Sequence, residues 1–274
     1  MKIHFIISLI LFLSYSSESE SLALDTPDTD IHFKTGKEIF DLEKQWLVKL
    51  GDDAQYKNTL YNDTEWQLVN FDINWMKHDQ FKNREGIFWC RKKLLVDVKQ
   101  DYALFIPFHY REVEIYFNEI LIFKDNHYNS TSIPYKSGRT NYILITSSII
   151  KRGVNVLAMR SGFLDYKGGF ISSIQIGPAD TIFQIFIFHL IWYFSLSAVS
   201  LFLAIYMLFL FYSRRNERFH LYFSGMSFFL STWTLGYEGL IHWIFNSHLF
   251  FILITYLSPM FAMIFIFNFI HSFL

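Results

Sequence analysis

A single cysteine, Cys90, occurs in the 274 residues, so no disulfide bond can form within the chain. This absence excludes the disulfide-rich scaffold of many small secreted domains, and an exported domain of this chain must be stabilised by its core, as bacterial periplasmic domains often are. An excess of basic charge is also missing, because the formal net charge is −1. Nothing in that balance favours nucleic-acid binding, and we expect no nucleic-acid partner.

Charged residues are absent from one long stretch and nearly absent from another. Residues 181–212 contain no Asp, Glu, Lys or Arg, and residues 221–274 contain only Glu238. A helix crosses the hydrocarbon of a bilayer with about 20 residues, so both stretches predict membrane helices. A polar break at residues 245–248 divides the second stretch, which predicts three helices in all, at about 182–212, 219–245 and 249–271.

Arginines are confined to one of the two turns that join the predicted helices. Arg214, Arg215 and Arg218 lie between the first and second helices, whereas residues 246–248 contain no Lys or Arg. Cytoplasmic turns carry an excess of Lys and Arg, so the arginine turn is expected in the cytoplasm and residues 25–178 outside. This arrangement predicts a multi-pass protein of the bacterial inner membrane, with the bilayer as a partner and the N-terminal domain periplasmic or extracellular.

The first 21 residues have the layout of a secretory signal peptide. An early lysine precedes an apolar run at residues 5–13, and small polar residues follow. The run is too short to span a bilayer, which favours cleavage over retention as an anchor. The predicted domains are therefore a signal peptide at 1–21, an exported domain at 25–178 and a membrane domain at 182–274.

Alternating apolar and polar residues characterise the exported half. In "REVEIYFNEILIF" (111–123) Val113, Ile115 and Phe117 alternate with polar neighbours, which is typical of a half-buried strand. Several such segments with no convincing long helix predict an antiparallel β-sandwich, although residues 37–50 have some helical spacing and leave a short helix open. The other predicted strands are 65–71, 87–98, 102–108, 120–124, 142–149, 154–160 and 170–176.

Six segments occur in the order found in a known sandwich family. They resemble the galactose-binding-like jelly rolls attached to β-galactosidase-type enzymes. The same jelly roll is the sensor of bacterial seven-transmembrane receptors with diverse intracellular signalling modules. The segments are "WLVKLGDD" (46–53), "DTEWQLV" (63–69), "GIFWCRKKL" (86–94), "VEIYFNEILI" (113–122), "KRGVNVLAMR" (151–160) and "GGFISSIQIGP" (168–178).

The membrane half resembles the helical domain of the same receptors. An apolar segment follows the "GP" exit, and "RRNERFHLYFSGMSFFLSTW" (214–233) is similar to the next part of that domain. Over residues 40–274 the resemblance implies a galactose-binding-like jelly roll followed by all-α transmembrane helices. It also implies truncation, because four helices and a cytoplasmic output module would follow Leu274.

One turn departs from the pattern of the family. Where the family often has Asn-Gly at a hairpin tip, this chain has Asn118-Glu119. A left-handed backbone is costly for glutamate and free for glycine, so a looser turn is expected here. Another short connection, "GPADT" (177–181), is expected to link the sandwich directly to the first helix, with too little chain for a floppy tether.

No arrangement of side chains predicts catalysis. Four aspartates could supply the carboxylate pair of a glycosidase, but their places beside turns favour loop capping and solvated surface. We therefore expect no enzyme activity and no cofactor. The histidines of the exported half are too scattered to predict a metal site. The aspartates are Asp52, Asp53, Asp63 and Asp72, and the histidines are His78, His109 and His127.

Four residues are the predicted ligand contacts of the sandwich: Arg91, Arg160, Trp75 and Tyr166. A guanidinium at the end of a strand can bind a carboxylate or sugar hydroxyls in bidentate geometry, and Arg160 ends the predicted strand "NVLAMR". Pairing with a structural carboxylate is the alternative for both arginines. Trp89, which shares the face of Arg91, is expected to fill the core rather than stack on a sugar.

Two functions remain open. The first is a receptor that binds a small ligand, a sugar or a carboxylate, and biases a helical bundle, with a second copy of the chain or a separate cytoplasmic output module as partner. The second is a membrane-anchored carbohydrate-binding or envelope interaction protein without signalling output.

Overall fold

The computed structural model describes residues 31–70, 86–107, 113–124, 140–164, 167–168, 174–237 and 253–272. Two β-sheets face each other and helices follow, as the sequence predicts for the two halves. The strands are β1 (Ile31–Phe33), β2 (Phe40–Asp41), β3 (Trp46–Leu50), β4 (Gln67–Val69), β5 (Gly86–Val96), β6 (Tyr102–Ile106), β7 (Val113–Phe117), β8 (Ile120–Lys124), β9 (Asn141–Ile145), β10 (Gly153–Leu164), β11 (Lys167–Gly168) and β12 (Gln175–Pro178).

The larger sheet has the order β4-β3-β5-β10-β7-β8, and the smaller sheet has the order β2-β12-β6-β9. In the larger sheet β1 also pairs with β5, in parallel, and β11 pairs with β10. The other pairings in the described residues are antiparallel. A β-sandwich therefore forms the first half of the molecule.

The core lies between the two sheets and follows the alternation of the strands. Val113, Ile115 and Phe117 of β7 are at most 2% exposed, whereas Glu114 and Tyr116 between them are partly exposed. The predicted period of two is confirmed there. Side chains with no hydrogen-bonding needs fill this space because burial of apolar area is the main stabilising term.

Residues 37–50 form strands instead of the short helix that the sequence left open. Gln45 has a left-handed φ of 59°, which turns the chain between β2 and β3. Trp46 and Val48 then face the core while Leu47 between them faces outward. The spacing of apolar residues suited a helix, but pairing with β5 supplied the bonds of a strand.

The strand β10 is longer than the predicted 154–160, because its pairing with β5 runs from Gly153 opposite Val96 to Phe163 opposite Gly86. The prediction that Arg160 ends this strand is therefore wrong. Arg160 lies within the strand, opposite Trp89 on β5 and Glu114 on β7.

The turn at Asn118-Glu119 is tight, which corrects the expected loosening. Both residues have left-handed φ angles, 45° and 74°, and join β7 directly to β8. The Asn118 amide donates to Ile149 O and Asn155 Oδ1. The Glu119 carboxylate accepts from Thr59 N at 2.9 Å and Thr59 Oγ1 at 2.8 Å. These bonds offset the cost of a left-handed glutamate.

In the part of the chain that the structure describes three α-helices follow: α1 (Ala179–Ser213), α2 (Phe219–Tyr237) and α3 (Ser258–His271), the last preceded by a π-helical turn at Leu253–Leu257. The predicted helices at 182–212 and 219–245 overlap α1 and α2, and 249–271 overlaps α3. Two of the helical segments, Ala179–Ser213 and Leu253–His271, are long and apolar enough to cross a membrane. Pro259 stands at the start of α3, where the π turn gives way to the α-helix.

Small and hydroxyl-bearing residues bring the helices together. Ser197 of α1 bonds Ser231 of α2 at 2.8 Å, and Thr232 of α2 donates to Ser258 of α3 at 3.0 Å. A Cβ added at Gly225 would overlap the ring of Phe265, so α2 and α3 touch through a glycine. Contacts of these kinds are typical of helices that pack in lipid.

Candidate functional site

Arg91 lies on the outer face of the larger sheet and is fully buried. Its Nε donates to Asp63 Oδ2 at 3.0 Å, and its Nη1 donates to the carbonyls of Tyr56 and Asn58. The guanidinium thereby holds the segment between β3 and β4 against the sheet. Arg91 therefore pairs with a structural carboxylate, which was the alternative to ligand binding in the sequence analysis.

Asp63 is 3% exposed, so its predicted place on a solvated surface is wrong. The carboxylate also accepts from Lys93 Nζ at 3.0 Å. Burial alone would raise the pKa of Asp63, but the bonds from Lys93 and Arg91 outweigh it and the pKa is lowered. Two cations can hold one buried carboxylate in its charged form. Asp53, in contrast, caps the 3₁₀ turn Ala54–Lys57 as the capping interpretation predicted.

Aromatic residues form a second, smaller core on this outer face. Tyr56 packs edge-on against Trp66 at 5.1 Å and against Trp89 at 6.1 Å between ring centroids. Trp66 and Trp89 are 6% and 2% exposed, so neither offers a face to a sugar. Trp89 is buried, as expected, but under the segment 54–66 and not between the two sheets.

Arg160 is the one predicted contact that the described residues place at an accessible surface. Its Nε and Nη2 donate to the two oxygens of Asp52, both at 2.7 Å, and its Nη1 lies 3.7 Å from Glu114 Oε2. Side-chain bonds from Arg160 hold the pKa of Asp52 below its ordinary value. The Arg160 and Asp52 side chains are 25% and 44% exposed, so a ligand could reach both.

Tyr116 completes this surface with an aromatic plane. Its ring stacks on Trp89 at 5.5 Å, and its hydroxyl donates to Glu114 Oε2 at 2.7 Å. Burial and the neighbouring Glu114 raise the pKa of Tyr116 to about 12. We call Asp52, Glu114, Tyr116 and Arg160 the Arg160 patch. It offers donors, acceptors and a ring edge, which is the chemistry that recognises sugar hydroxyls.

Several predicted residues lie outside the described residues. Among the ligand contacts these are Trp75 and Tyr166, and among the aspartates and histidines they are Asp72, His78, His109 and His127. Glu238, the single charged residue of the second apolar stretch, also lies outside them. Within the part of the chain that the structure describes, no three His, Cys, Asp or Glu residues are grouped to hold a metal ion.

The sandwich passes into the first long helix without a linker. Pro178 ends β12 and Ala179 begins α1, so the predicted connection "GPADT" is divided between a strand and a helix. Ala179 N donates to Asp101 O at 3.0 Å, and the Tyr142 hydroxyl donates to Ala179 O at 3.3 Å. The first turn of α1 is thus bonded to the residue that precedes β6 and to β9.

The outer face of the smaller sheet is covered by α1. Ala103 and Phe105 of β6 are buried against Ile182 and Phe186 of the helix, and these four side chains are 0–8% exposed. The Phe105 ring also lies 5.4 Å from the imidazole of His189. The sequence interpretation missed this contact, although "YALFI" at β6 lacks the alternation of a half-buried strand and every residue in it is buried.

No family model and no curated protein matches the chain. Solved structures with similar regions include a glycosyl hydrolase family 2 member from Bacteroides cellulosilyticus, with 18% identity and a TM-score of 0.41. Others are a β-glycosidase from Bacteroides vulgatus (18%, 0.38) and a β-glucuronidase from Bacteroides uniformis (12%, 0.39). Each match covers 51% of this chain and 17–20% of the other. So partial an overlap does not establish an activity here.

Proposed function

We propose that this chain is the sensing part of a membrane signalling receptor. In this proposal the β-sandwich is an exported, galactose-binding-like jelly roll that binds a small ligand, a sugar or a carboxylate. The helices cross the bacterial inner membrane several times and transmit the binding event. Receptors of the bacterial seven-transmembrane class with diverse intracellular signalling modules have this layout, and the sequence resembles them over residues 40–274.

The observation that carries the proposal is the junction between β12 and α1. The strand β12 continues into α1 with no intervening residue, and α1 packs on the same sandwich. A tilt of the sandwich would therefore be transmitted to α1. An anchor that only retains a domain at the membrane needs no such contact, because a flexible linker serves it equally well.

The helix α1 is long enough for one part to pack on the sandwich and another to cross the membrane. Its 35 residues make it about 50 Å long. Residues 179–190 include those that pack on the sandwich, and the remaining 23 residues are enough to cross about 30 Å of hydrocarbon. The turn with Arg214, Arg215 and Arg218 would then lie in the cytoplasm.

The Arg160 patch is the proposed contact surface for a neutral sugar. Arg160 Nη1 can donate a hydrogen bond, and the oxygens of Tyr116 and Glu114 can accept them. The Trp89 ring beneath Tyr116 keeps that side chain in place. Arg91 has a different role in the proposal. It holds the segment 54–66 that frames the patch.

The test measures whether binding moves the helix. The full chain in lipid nanodiscs carries spin labels at Leu60→Cys, on the sandwich, and at Tyr212→Cys, near the end of α1; both side chains are exposed. Cys90 stays in place because it is fully buried and burial raises its pKa well above the ordinary value, so it does not react. A panel of neutral sugars and carboxylic acids is added, and we expect at least one compound to shift the distance between the labels.

A matched variant carries Gly-Gly-Ser-Gly between Pro178 and Ala179. We expect it to bind the same compound, to broaden the distance distribution and to lose the shift. Binding without any shift in the native chain would favour the anchored carbohydrate-binding protein instead. Absence of binding across the whole panel would contradict the sensing function.

A further inference from the structure

A cationic cavity of about 620 Å³ opens at the end of the sandwich where α1 begins. The turn between β9 and β10, the connection between β5 and β6, and the β7–β8 hairpin tip line it. Lys99, Lys151 and Arg152 bring three positive charges to one opening, and all three side chains are exposed. A cavity of this volume suits a molecule of one or two sugar rings.

The acidic side chains on the same segments do not line the cavity. Asp97 bonds His32 at 2.7 Å, Asp101 accepts from Ser147 N at 2.6 Å, and Glu119 accepts from Thr59. No ion pair joins any of the three cations to a carboxylate of the described residues. The bonds from Thr59 and the charge of Lys151 lower the pKa of Glu119, so that lysine has a carboxylate near it outside the cavity. Among the residues that line the cavity itself three are cations and none is an acid, and a bound anion would interact favourably with all three.

The wall of the cavity is rigid around Asn118. Its amide donates to Ile149 O and Asn155 Oδ1, and its oxygen accepts from Val156 N at 3.0 Å. Ile120, which is 49% exposed, and Ile149 supply apolar surface beside the cations. Because this wall is already ordered, ligand binding costs less conformational entropy of the protein.

We infer that this cavity binds a small molecule with two or more oxyanion groups, carboxylate or phosphate, and that occupancy acts on α1 through Asp101. The inference rests on the proposed receptor function and adds a second site to the Arg160 patch. Ser148 and Ile149 line the cavity, the adjacent Ser147 N bonds the Asp101 carboxylate, and Asp101 O accepts from Ala179 N. A ligand that moves this turn therefore moves the residue that holds the first turn of α1.

Binding is measured by titration calorimetry on the full chain in phosphatidylcholine nanodiscs at low salt. The probes are digalacturonate, inorganic pyrophosphate and neutral digalactose. We expect at least one anion to bind and neutral digalactose not to bind at this site. A preference for digalacturonate identifies a carboxylated saccharide and a preference for pyrophosphate a phosphate, and either supports the site.

The variants Lys99→Gln, Lys151→Gln and Arg152→Gln remove the positive charge and leave a shorter polar side chain at three exposed positions. Each lost charge-assisted hydrogen bond should weaken binding about tenfold or more, and the triple variant at least about 100-fold. Lys44→Gln, an exposed lysine outside the cavity, should leave the affinity unchanged. Equal affinity in the triple variant, or no anion binding at low salt, overturns the cavity site. A neutral sugar that still shifts the spin-label distance in that variant leaves the receptor function intact.

Asp101→Ala tests the route to the helix. We expect this variant to bind the anion within about twofold of the native affinity while the anion no longer shifts the distance between the labels at Leu60→Cys and Tyr212→Cys. An unchanged shift would overturn the role of Asp101 and leave the cavity site standing.

Discussion

The two outer faces of the sandwich are covered in opposite ways. A segment of the connection between β3 and β4 covers the larger sheet with a buried ion pair, bonds to carbonyls and an aromatic cluster. The helix α1 covers the smaller sheet with aliphatic and aromatic contacts and two backbone-directed bonds at its first turn.

The difference follows from the backbone of each cover. An irregular segment brings carbonyls that have no partner of their own, and buried carbonyls must be bonded. Arg91 donates to the carbonyl of Tyr56 and adds a second donor to that of Asn58, which also accepts from Tyr61 N. These bonds explain a charged residue at a fully buried position. A helix satisfies its carbonyls internally, so the surface that receives α1 needs only apolar side chains.

The largest effect is expected from breaking the cover of the larger sheet. Asp63→Asn keeps the volume of the side chain but leaves the buried Arg91 charge without its counter-ion. Loss of one partner of a buried pair costs about 3–5 kcal/mol in the free energy of unfolding. Pulse proteolysis of the sandwich in urea measures this. Asp53→Asn is the control, since asparagine caps a helical turn about as well as aspartate, and an equal loss in both variants would contradict the role of the pair.

A smaller but still substantial effect is expected from breaking the cover of the smaller sheet. Ile182→Ala opens a space at a fully buried position between α1 and β6. Truncations of this kind cost about 2–5 kcal/mol, and we expect the lower half of that range because one side of the space is a helix that can shift. The same proteolysis assay applies, with Ile191→Ala, 58% exposed on the same helix, as the control. Similar losses in the two variants would rule out a specific junction.

Acid should loosen the cover of the larger sheet before the cover of the smaller sheet. Asp52 and Asp63 have pKa values below the ordinary 3.8, so their stabilisation is complete above about pH 4 and is lost as the pH falls through the lower folded-state values. Between about pH 4 and pH 2 we expect hydrogen-exchange protection to fall in residues 54–66 before it falls in 179–190. Loss of protection at the junction first would contradict the contrast between charge and apolar packing.

The smallest effect is expected at the Arg160 patch. Arg160→Lys keeps the charge but removes the bidentate bond to Asp52. Because both side chains are partly exposed, we expect the free energy of unfolding to fall by at most about 1 kcal/mol. The free energy of binding a neutral sugar should change by more than the free energy of unfolding does. A variant that loses several kcal/mol of stability would place Arg160 with Arg91 as a structural residue.

The comparison also separates what could be predicted from what could not. Alternation at β7 and the long uncharged runs predicted a strand and helices, because each pattern repeats with the period of its element. The same local rules failed at Glu119, where Thr59, 60 residues away in sequence, bonds its carboxylate and makes a left-handed glutamate affordable. They also failed at Asp63, whose position beside a turn suggested solvent.

The sequence by itself determined a sandwich without disulfides followed by apolar helices, because periodicity and charge are local properties of a chain. Only the tertiary structure decided that Arg91 is buried and Arg160 partly exposed, that three cations share one cavity, and that α1 lies on the smaller sheet. Each of these depends on which distant segments meet, and the free energy of such a contact is set by burial and pairing, which neighbours in sequence do not reveal.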